Sequence, residues 1–154
     1  MLERVISGGQ TGADQAGWRA AAAAAGIPTG GWMPLGWLTE EGPRPEFAEL
    51  YGARELVTAD YRAKTERNVL DSSATLWFGS IATPGAKTTL NACGGIGRPH
   101  LLVVPGREVR PSDVTVWIVA RQVKVLNVAG NRESKAPGIG DRVERFLVEV
   151  FRRL

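Results

Sequence analysis

The stretch Val5-Ile6-Ser7-Gly8-Gly9-Gln10-Thr11-Gly12-Ala13-Asp14 constrains this chain more than any other. It runs from a short apolar strand through a glycine-rich turn into the helix-forming run Ala16 to Ala25. In α/β proteins that order sets the free N–H groups of a first helical turn beside glycines that let an anion approach the backbone. Gln10, Thr11 and Asp14 add side-chain donors and acceptors within one turn. The pattern points to a nucleotide-like or other phosphorylated ligand. The alternative is an ordinary strand-to-helix connection, which three glycines and a Gln-Thr pair in five residues disfavour. Two better-known phosphate loops do not fit. A dinucleotide fingerprint starting at Gly8 needs glycine where Gln10 and Ala13 stand, and Gly85-Ala86-Lys87-Thr88 lacks the glycine that a P-loop places before its lysine.

Apolar runs alternate with helical patterns along the chain. Strands are expected at Arg4 to Ser7, Thr75 to Gly79, His100 to Val104 and Val123 to Val128. Helices are expected at Asp14 to Ala25, Tyr61 to Ser72, Thr88 to Ile96 and Asp141 to Leu154, with a shorter one at Asp113 to Arg121. The strands are nearly all apolar rather than alternating, as in a parallel sheet covered on both faces. The expected architecture is therefore an α/β three-layer sandwich, doubly wound, in one domain over residues 1–154.

Open α/β sheets bind ligands beyond the carboxyl ends of their strands. Three loops there carry glycine: Gly8 to Asp14, Ser80 to Thr89 and Val128 to Ile139. Together they make a better anion cradle than any one alone. The segment Gly30 to Tyr51 is too rich in Gly and Pro for a regular element. Its Trp32 and Trp37 suit a flap over a flat heteroaromatic ligand, an oligomer contact, or packing onto the sheet. On the helix from Tyr61, Thr65, Asn68 and Ser72 recur at spacings that share one face, either solvated or turned to the ligand.

Composition narrows the function classes. The chain has 154 residues, 44% of them hydrophobic and 23% charged, as expected of a soluble globular protein. No signal-peptide pattern opens it and no apolar run is long enough to span a bilayer. Cys93 is the lone cysteine, which excludes an internal disulfide and suits a reducing cytoplasm, and it reads as a packed residue. A net charge of +3 spread over scattered basic residues gives no nucleic-acid stripe. His100 is the only histidine, so a protein-ligated metal such as zinc is not expected, and its place at the start of an apolar strand reads as structural.

Four separated motifs carry a resemblance. Ser7-Gly8-Gly9-Gln10-Thr11-Gly12-Ala13-Asp14, Gly31-Trp32-Met33-Pro34, Tyr61 to Val69 and Asn127 to Lys135 resemble the molybdenum cofactor carrier family. That family is also described as circularly permuted YpsA-like, within the lysine-decarboxylase-like Rossmann superfamily. The likeness runs from Val5 to the C-terminal helix. It implies a Rossmann-like fold, a homodimer or homotetramer, and a pocket for a phosphorylated ligand, the molybdenum cofactor (molybdopterin) for some members. The pattern carries over at Gly8, Gly9, Gln10, Thr11, Gly12 and Asp14, at Thr65 and Asn68, and at Arg132, Glu133 and Ser134. It departs at Leu35 and Trp37, where basic residues are common, and at Pro84-Gly85-Ala86, which keeps only the central glycine of a Gly-Gly-Thr element before Lys87.

The wider superfamily includes phosphoribohydrolases that place a glutamate on the helix after the second loop; here that position resembles Asn91. An amide cannot act as general base or stabilise an oxocarbenium ion as a carboxylate does. A binding or carrier role is thus the expected one. A nucleoside monophosphate N-glycosidase with Asp14 or Glu133 as acid, and a nucleotide sensor, stay open as alternatives. In the expected mode the N–H groups of Gly9 to Gly12 and of Gly85 to Thr88 hold phosphate, helped by Lys87 and Arg132. Thr65 and Asn68 contact the ring or sugar, and the Trp32 to Trp37 loop covers it. Bulky replacements of Gly9 and Gly12 are expected to abolish binding and leave the fold intact.

Overall fold

The computed structural model describes residues 1–154, the side chain of Ala25 excepted. The first unit is β1 (Arg4–Ser7), helix α1 (Ala13–Ala25) and β2 (Thr29–Met33). A two-stranded hairpin follows, β3 (Leu38–Thr39) and β4 (Gly42–Pro43), then the short helix α2 (Phe47–Tyr51) and β5 (Ala53–Glu55). The second half alternates α3 (Tyr61–Leu70), β6 (Ala74–Phe78), α4 (Pro84–Ile96), β7 (His100–Val103), α5 (Pro111–Ala120), β8 (Val125–Gly130) and α6 (Ile139–Arg152).

Six strands form one sheet in the order β5-β2-β1-β8-β6-β7, and every pairing within it is parallel. Chain connections leave β1 toward β2 but leave β6 toward β7. Their loops diverge above β8, which is where a doubly wound sheet opens a crevice at its carboxyl edge. The apolar strands are explained by burial on both faces: all five residues of β6 are buried. Val5, Leu76, Leu126 and Val128 pack under α1, α5 and α6, with Leu147 and Phe151 of the strongly amphipathic α6 closing that layer. The Ala-rich face of α1 sits close to the sheet because Gly17 has no Cβ; one there would lie 2.7 Å from Val128 Cβ. On the other face α3 and α4 pack around Val69, Ala92 and Cys93.

Two expectations change. The segment from Gly30 to Tyr51 is not irregular: Thr29-Gly30-Gly31-Trp32-Met33 is a sheet strand, and its glycines are there because β2 lies hard against β1. A Cβ on Gly31 would lie 2.0 Å from the Ser7 carbonyl oxygen. Trp18, buried in α1, donates from Nε1 to the Gly30 carbonyl at 2.8 Å and stacks on Tyr51, with ring centroids 4.7 Å apart, so α2 is anchored onto α1. The fourth helix begins at Pro84, not Thr88. Thr83 caps it through its Oγ1, which accepts from Ala86 N–H at 3.2 Å, and Pro84 occupies the first position, where no N–H is needed. No helix among the described residues is long and apolar enough to cross a membrane.

Candidate functional site

The loops after β1, β6 and β8 meet at Asn131, a buried residue that ties all three together. Its backbone N–H donates to Phe78 O (2.9 Å) and its carbonyl accepts from Ala13 N–H (3.2 Å). Its side chain accepts from Ser80 N–H (2.8 Å) and donates to Ser80 O (3.3 Å). Gly12 makes this junction possible. With φ of +79° it holds a left-handed conformation, and a Cβ would lie 2.5 Å from the Asn131 carbonyl oxygen. A bulky residue at Gly12 therefore breaks the loop junction itself, which corrects the expectation that such a change spares the fold. Gly9 also has a positive φ, +78°, but a Cβ there would meet a side chain and not the junction, lying 2.8 Å from Met33 Sδ.

Three cavities open around this junction. The largest, about 510 Å³, lies at the N-terminus of α4, between Thr83, Gly85 and Thr88 on one side and Arg132 and Lys135 on the other. A second, about 230 Å³, lies under the β3–β4 hairpin between Gly8, Gln10, Pro34, Glu40, Lys64 and Arg132. A pocket of about 20 Å³ reaches beneath them to Asp14, Thr65, Asn68, Thr89 and Asn127. Tyr61 lines all three, and Arg132 lines the two larger ones.

The glycine-rich loop uses its own donors internally. Gly9 N–H donates to Ser7 Oγ (3.3 Å), Thr11 N–H to Gln10 Oε1 (3.0 Å), and Gln10 N–H to Asp14 Oδ2 (3.2 Å). A carboxylate of the chain thus sits where an incoming anion was expected. At α4, Ala86 N–H is taken by Thr83, while Gly85 lines the large cavity.

The other expected residues divide in the same way. Gly8, Gln10, Asp14, Thr65, Asn68, Gly85, Thr88 and Arg132 line the cavities. Asn68 has a bond to β2 as well, accepting from Trp32 N–H (2.8 Å) and donating to Trp32 O (3.0 Å). Thr11 and Ser134 instead hold Glu40, whose carboxylate accepts from both hydroxyls and from Ser134 N–H at 3.0 Å; Glu40 N–H donates to Gln10 Oε1 at 2.9 Å. Burial pushes the Glu40 carboxyl up, but these bonds from Ser134 and Thr11 hold it below the ordinary glutamate value. Glu133 caps α6, accepting from Gly138 N–H and from Gly140 N–H (3.0 Å). Lys87 is exposed and lines none of these cavities.

The tryptophans do not cover the cavities. Trp32 Nε1 donates to Asp71 Oδ2 at 2.7 Å, and its ring lies against the Arg67 and Arg54 guanidinium groups. Trp37 packs on the Met33 and Phe47 cluster. The cover is made by Pro34 and the hairpin residues Leu38, Thr39 and Glu40. Asn91 is exposed on α4, His100 is exposed at the start of β7, and Cys93 is buried, its thiol pushed up by that burial.

Lys64 joins these residues without having stood out in the sequence. It is 5% exposed, lies 3.9 Å from Asp14 Oδ2 and 4.4 Å from the centre of the Tyr61 ring, and donates no hydrogen bond among the described residues. Burial pushes the Lys64 ammonium below the ordinary lysine range against the pull of Asp14. It pushes the Asp14 carboxyl above its ordinary range against the pulls of Lys64 and the Gln10 and Gly130 N–H groups. Lys64 stands four residues before Asn68, so the helical spacing that marked Asn68 marked it too. Asn127 and Thr75, the polar residues in two otherwise apolar strands, were a second signal: both are buried, bonded at 3.2 Å, and Asn127 lines the small pocket.

An α/β sheet of this topology, with its loops joined around one residue at its carboxyl edge, defines a Rossmann-like three-layer fold. Residues 5–151 match the model of the circularly permutated YpsA SLOG family, and the chain belongs to that family. It is also similar to a crystal structure described as a "putative molybdenum carrier protein" from Syntrophus aciditrophicus SB. The two share 38% identity with a TM-score of 0.85, over 97% of this chain and 94% of that one. No curated protein matches.

Proposed function

We propose that this chain binds and carries a phosphorylated heterocyclic small molecule without transforming it. Its structural relative is described as a molybdenum carrier, and the ligand class that we propose here is the molybdenum cofactor, a pterin phosphate. The observation that carries this reading is the state of the charged groups at the cavity. Arg132 and Lys135 line it and make no side-chain hydrogen bond or ion pair among the described residues, whereas the nearby carboxylates of Asp14, Glu40 and Glu133 already accept N–H or O–H donors. Free cations and filled acceptors call for a ligand that brings acceptors.

Phosphate at Gly85 would lie at the α4 N-terminus, whose dipole favours negative charge, with Arg132 and Lys135 opposite. The volume of about 510 Å³ falls in the range of small-molecule sites. The lining offers cations, hydroxyls and the rings of Tyr61 and Trp77, and, among the described residues, no thiolate or imidazole. It suits a phosphate and a ring better than direct ligation of a metal. No three His, Cys, Asp or Glu side chains among the described residues come together to hold one. Thr65 stands deeper, in position to meet a polar substituent of the ring.

The glycosidase alternative is disfavoured by the same geometry. Glu133 is committed to the α6 N-terminus, and Asp14 sits deep under Gln10 beside Lys64. The test is calorimetric titration with AMP and with a pterin phosphate, followed by product analysis. The reading expects saturable binding of a phosphorylated compound that Arg132→Met weakens, with no ribose 5-phosphate released from AMP. Release of that sugar, abolished in Asp14→Asn, would replace it with the glycosidase.

A further inference from the structure

The cavity under the hairpin holds charges of both signs, but only one sign has its hydrogen bonds filled. Glu40 accepts from the Thr11 and Ser134 hydroxyls and from Ser134 N–H. Asp14 accepts from Gln10 N–H. Lys64 has three N–H donors to place and Arg132 five, and neither side chain donates to any described residue. For Lys64 that is informative, because only 5% of it is exposed, and its ammonium nitrogen is not among the fully buried unpartnered atoms, so the little surface it keeps is at the charged end. Its nearest carboxylate oxygen, on Asp14, is 3.9 Å away, beyond hydrogen-bond reach. Gly8 leaves the room for it: a Cβ there would lie 2.7 Å from Nζ. The ammonium borders both the 20 Å³ pocket and the 230 Å³ cavity.

We propose that the cavity beneath the β3–β4 hairpin is a second anion subsite with Lys64 and Arg132 as its cations, so that the ligand is a small molecule bearing two anionic groups, one on either side of Tyr61. This rests on the reading above that the first anion lies at Gly85, Arg132 and Lys135. Arg132 borders both cavities and its fork of donors serves both groups. Tyr61, whose hydroxyl lies 3.1 Å from where a Gly85 Cβ would stand, separates them and offers its ring to the ligand's middle. A ligand with one anionic group, held at Gly85, would leave the Lys64 ammonium with no anion closer than Asp14 at 3.9 Å.

The test uses the full chain and simple probes: methylphosphonate, and a series of alkylene bisphosphonates of increasing chain length, titrated by calorimetry. At one length the bisphosphonate should bind at least about ten-fold tighter than methylphosphonate, the gain of a tethered second contact. Lys64→Met and Lys64→Gln, each checked for an intact thermal transition, should erase that advantage. Lys135→Met should weaken both probes. Lys124→Met, at an exposed residue paired with Glu3 far from the cavities, should change neither. Methylphosphonate binding with no gain for any bisphosphonate would overturn the second subsite and leave the carrier reading standing. A gain that survives in both Lys64 variants would also overturn it. Binding of neither probe would overturn the carrier reading and this inference together.

Discussion

Asp14→Asn and Lys64→Met should have unequal costs in stability, although they remove the two halves of one buried pair. At 3.9 Å, unit charges attract by about 4 kcal/mol at an effective dielectric constant near 20. Burying the two ions costs several kcal/mol each, so the pair as a whole nets little. What separates the partners is their other contacts. Asp14 keeps the Gln10 N–H donor at 3.2 Å, and burial already pushes its carboxyl toward the protonated form. Lys64 has no acceptor to fall back on. Lys64→Met should therefore be the cheaper change, since Asp14 keeps that N–H donor. Asp14→Asn strands the ammonium. Its cost is bounded by deprotonating a lysine at neutral pH, roughly 4.6 kcal/mol at 1.36 kcal/mol per pH unit, and about 3 kcal/mol is expected. Urea unfolding at pH 7 reads both numbers. Lys64→Met costing as much as or more than Asp14→Asn would refute the reasoning. A pH series adds a sign. Because the folded-state lysine value is depressed, the unfolded chain holds the extra proton between the two values, and wild-type stability should rise relative to Lys64→Met as pH approaches the ordinary lysine value of 10.5.

Other consequences are checked as directly. Arg132→Met should weaken a phosphorylated ligand by roughly ten- to a hundred-fold, the worth of charge-assisted hydrogen bonds of about 1.5–3 kcal/mol, as titration would show. Gly12→Ala should cost at least about 2 kcal/mol from its left-handed φ, before the 2.5 Å contact with Asn131 O is relieved; thermal unfolding measures it. Glu40→Ala should free the hairpin and speed amide hydrogen exchange in β3 and β4. In the wild type the same clamp should be present above the ordinary glutamate value of 4.5 and be lost as pH falls through the lower folded-state value. Cys93, buried with its thiol pushed up, should react with a thiol reagent only on unfolding.

The sequence made the layers of this fold legible because burial on both faces leaves strands such as Ala74–Phe78 unbroken by charge. It hid β2, because Gly30 and Gly31 read as turn residues when their role is to let β2 approach β1, a contact formed only in three dimensions. The start of α4 is written in Thr83 and Pro84, a cap and a first-turn proline, although Gly85 beside them equally suits a loop. The site was legible in part. Gly8, Asp14 and Arg132 border the cavities, whereas Thr11, Glu133 and Ser134 serve the architecture around them. Their partners lie far off in sequence: Glu40 stands 94 residues from Ser134, and no local pattern announces that bond. The donors of the first glycine loop went the same way, since the presence of N–H groups is written in the sequence but their capture by Ser7, Gln10 and Asp14 is not.

Native mass spectrometry of the protein, isolated gently from a pterin-producing host, bears most directly on the carrier assignment. The account predicts a bound mass equal to a phosphorylated heterocycle, retained by Lys124→Met and lost from Arg132→Met. A bound mass that persists in both Arg132→Met and Lys135→Met, or ribose 5-phosphate appearing as AMP is consumed, would contradict it.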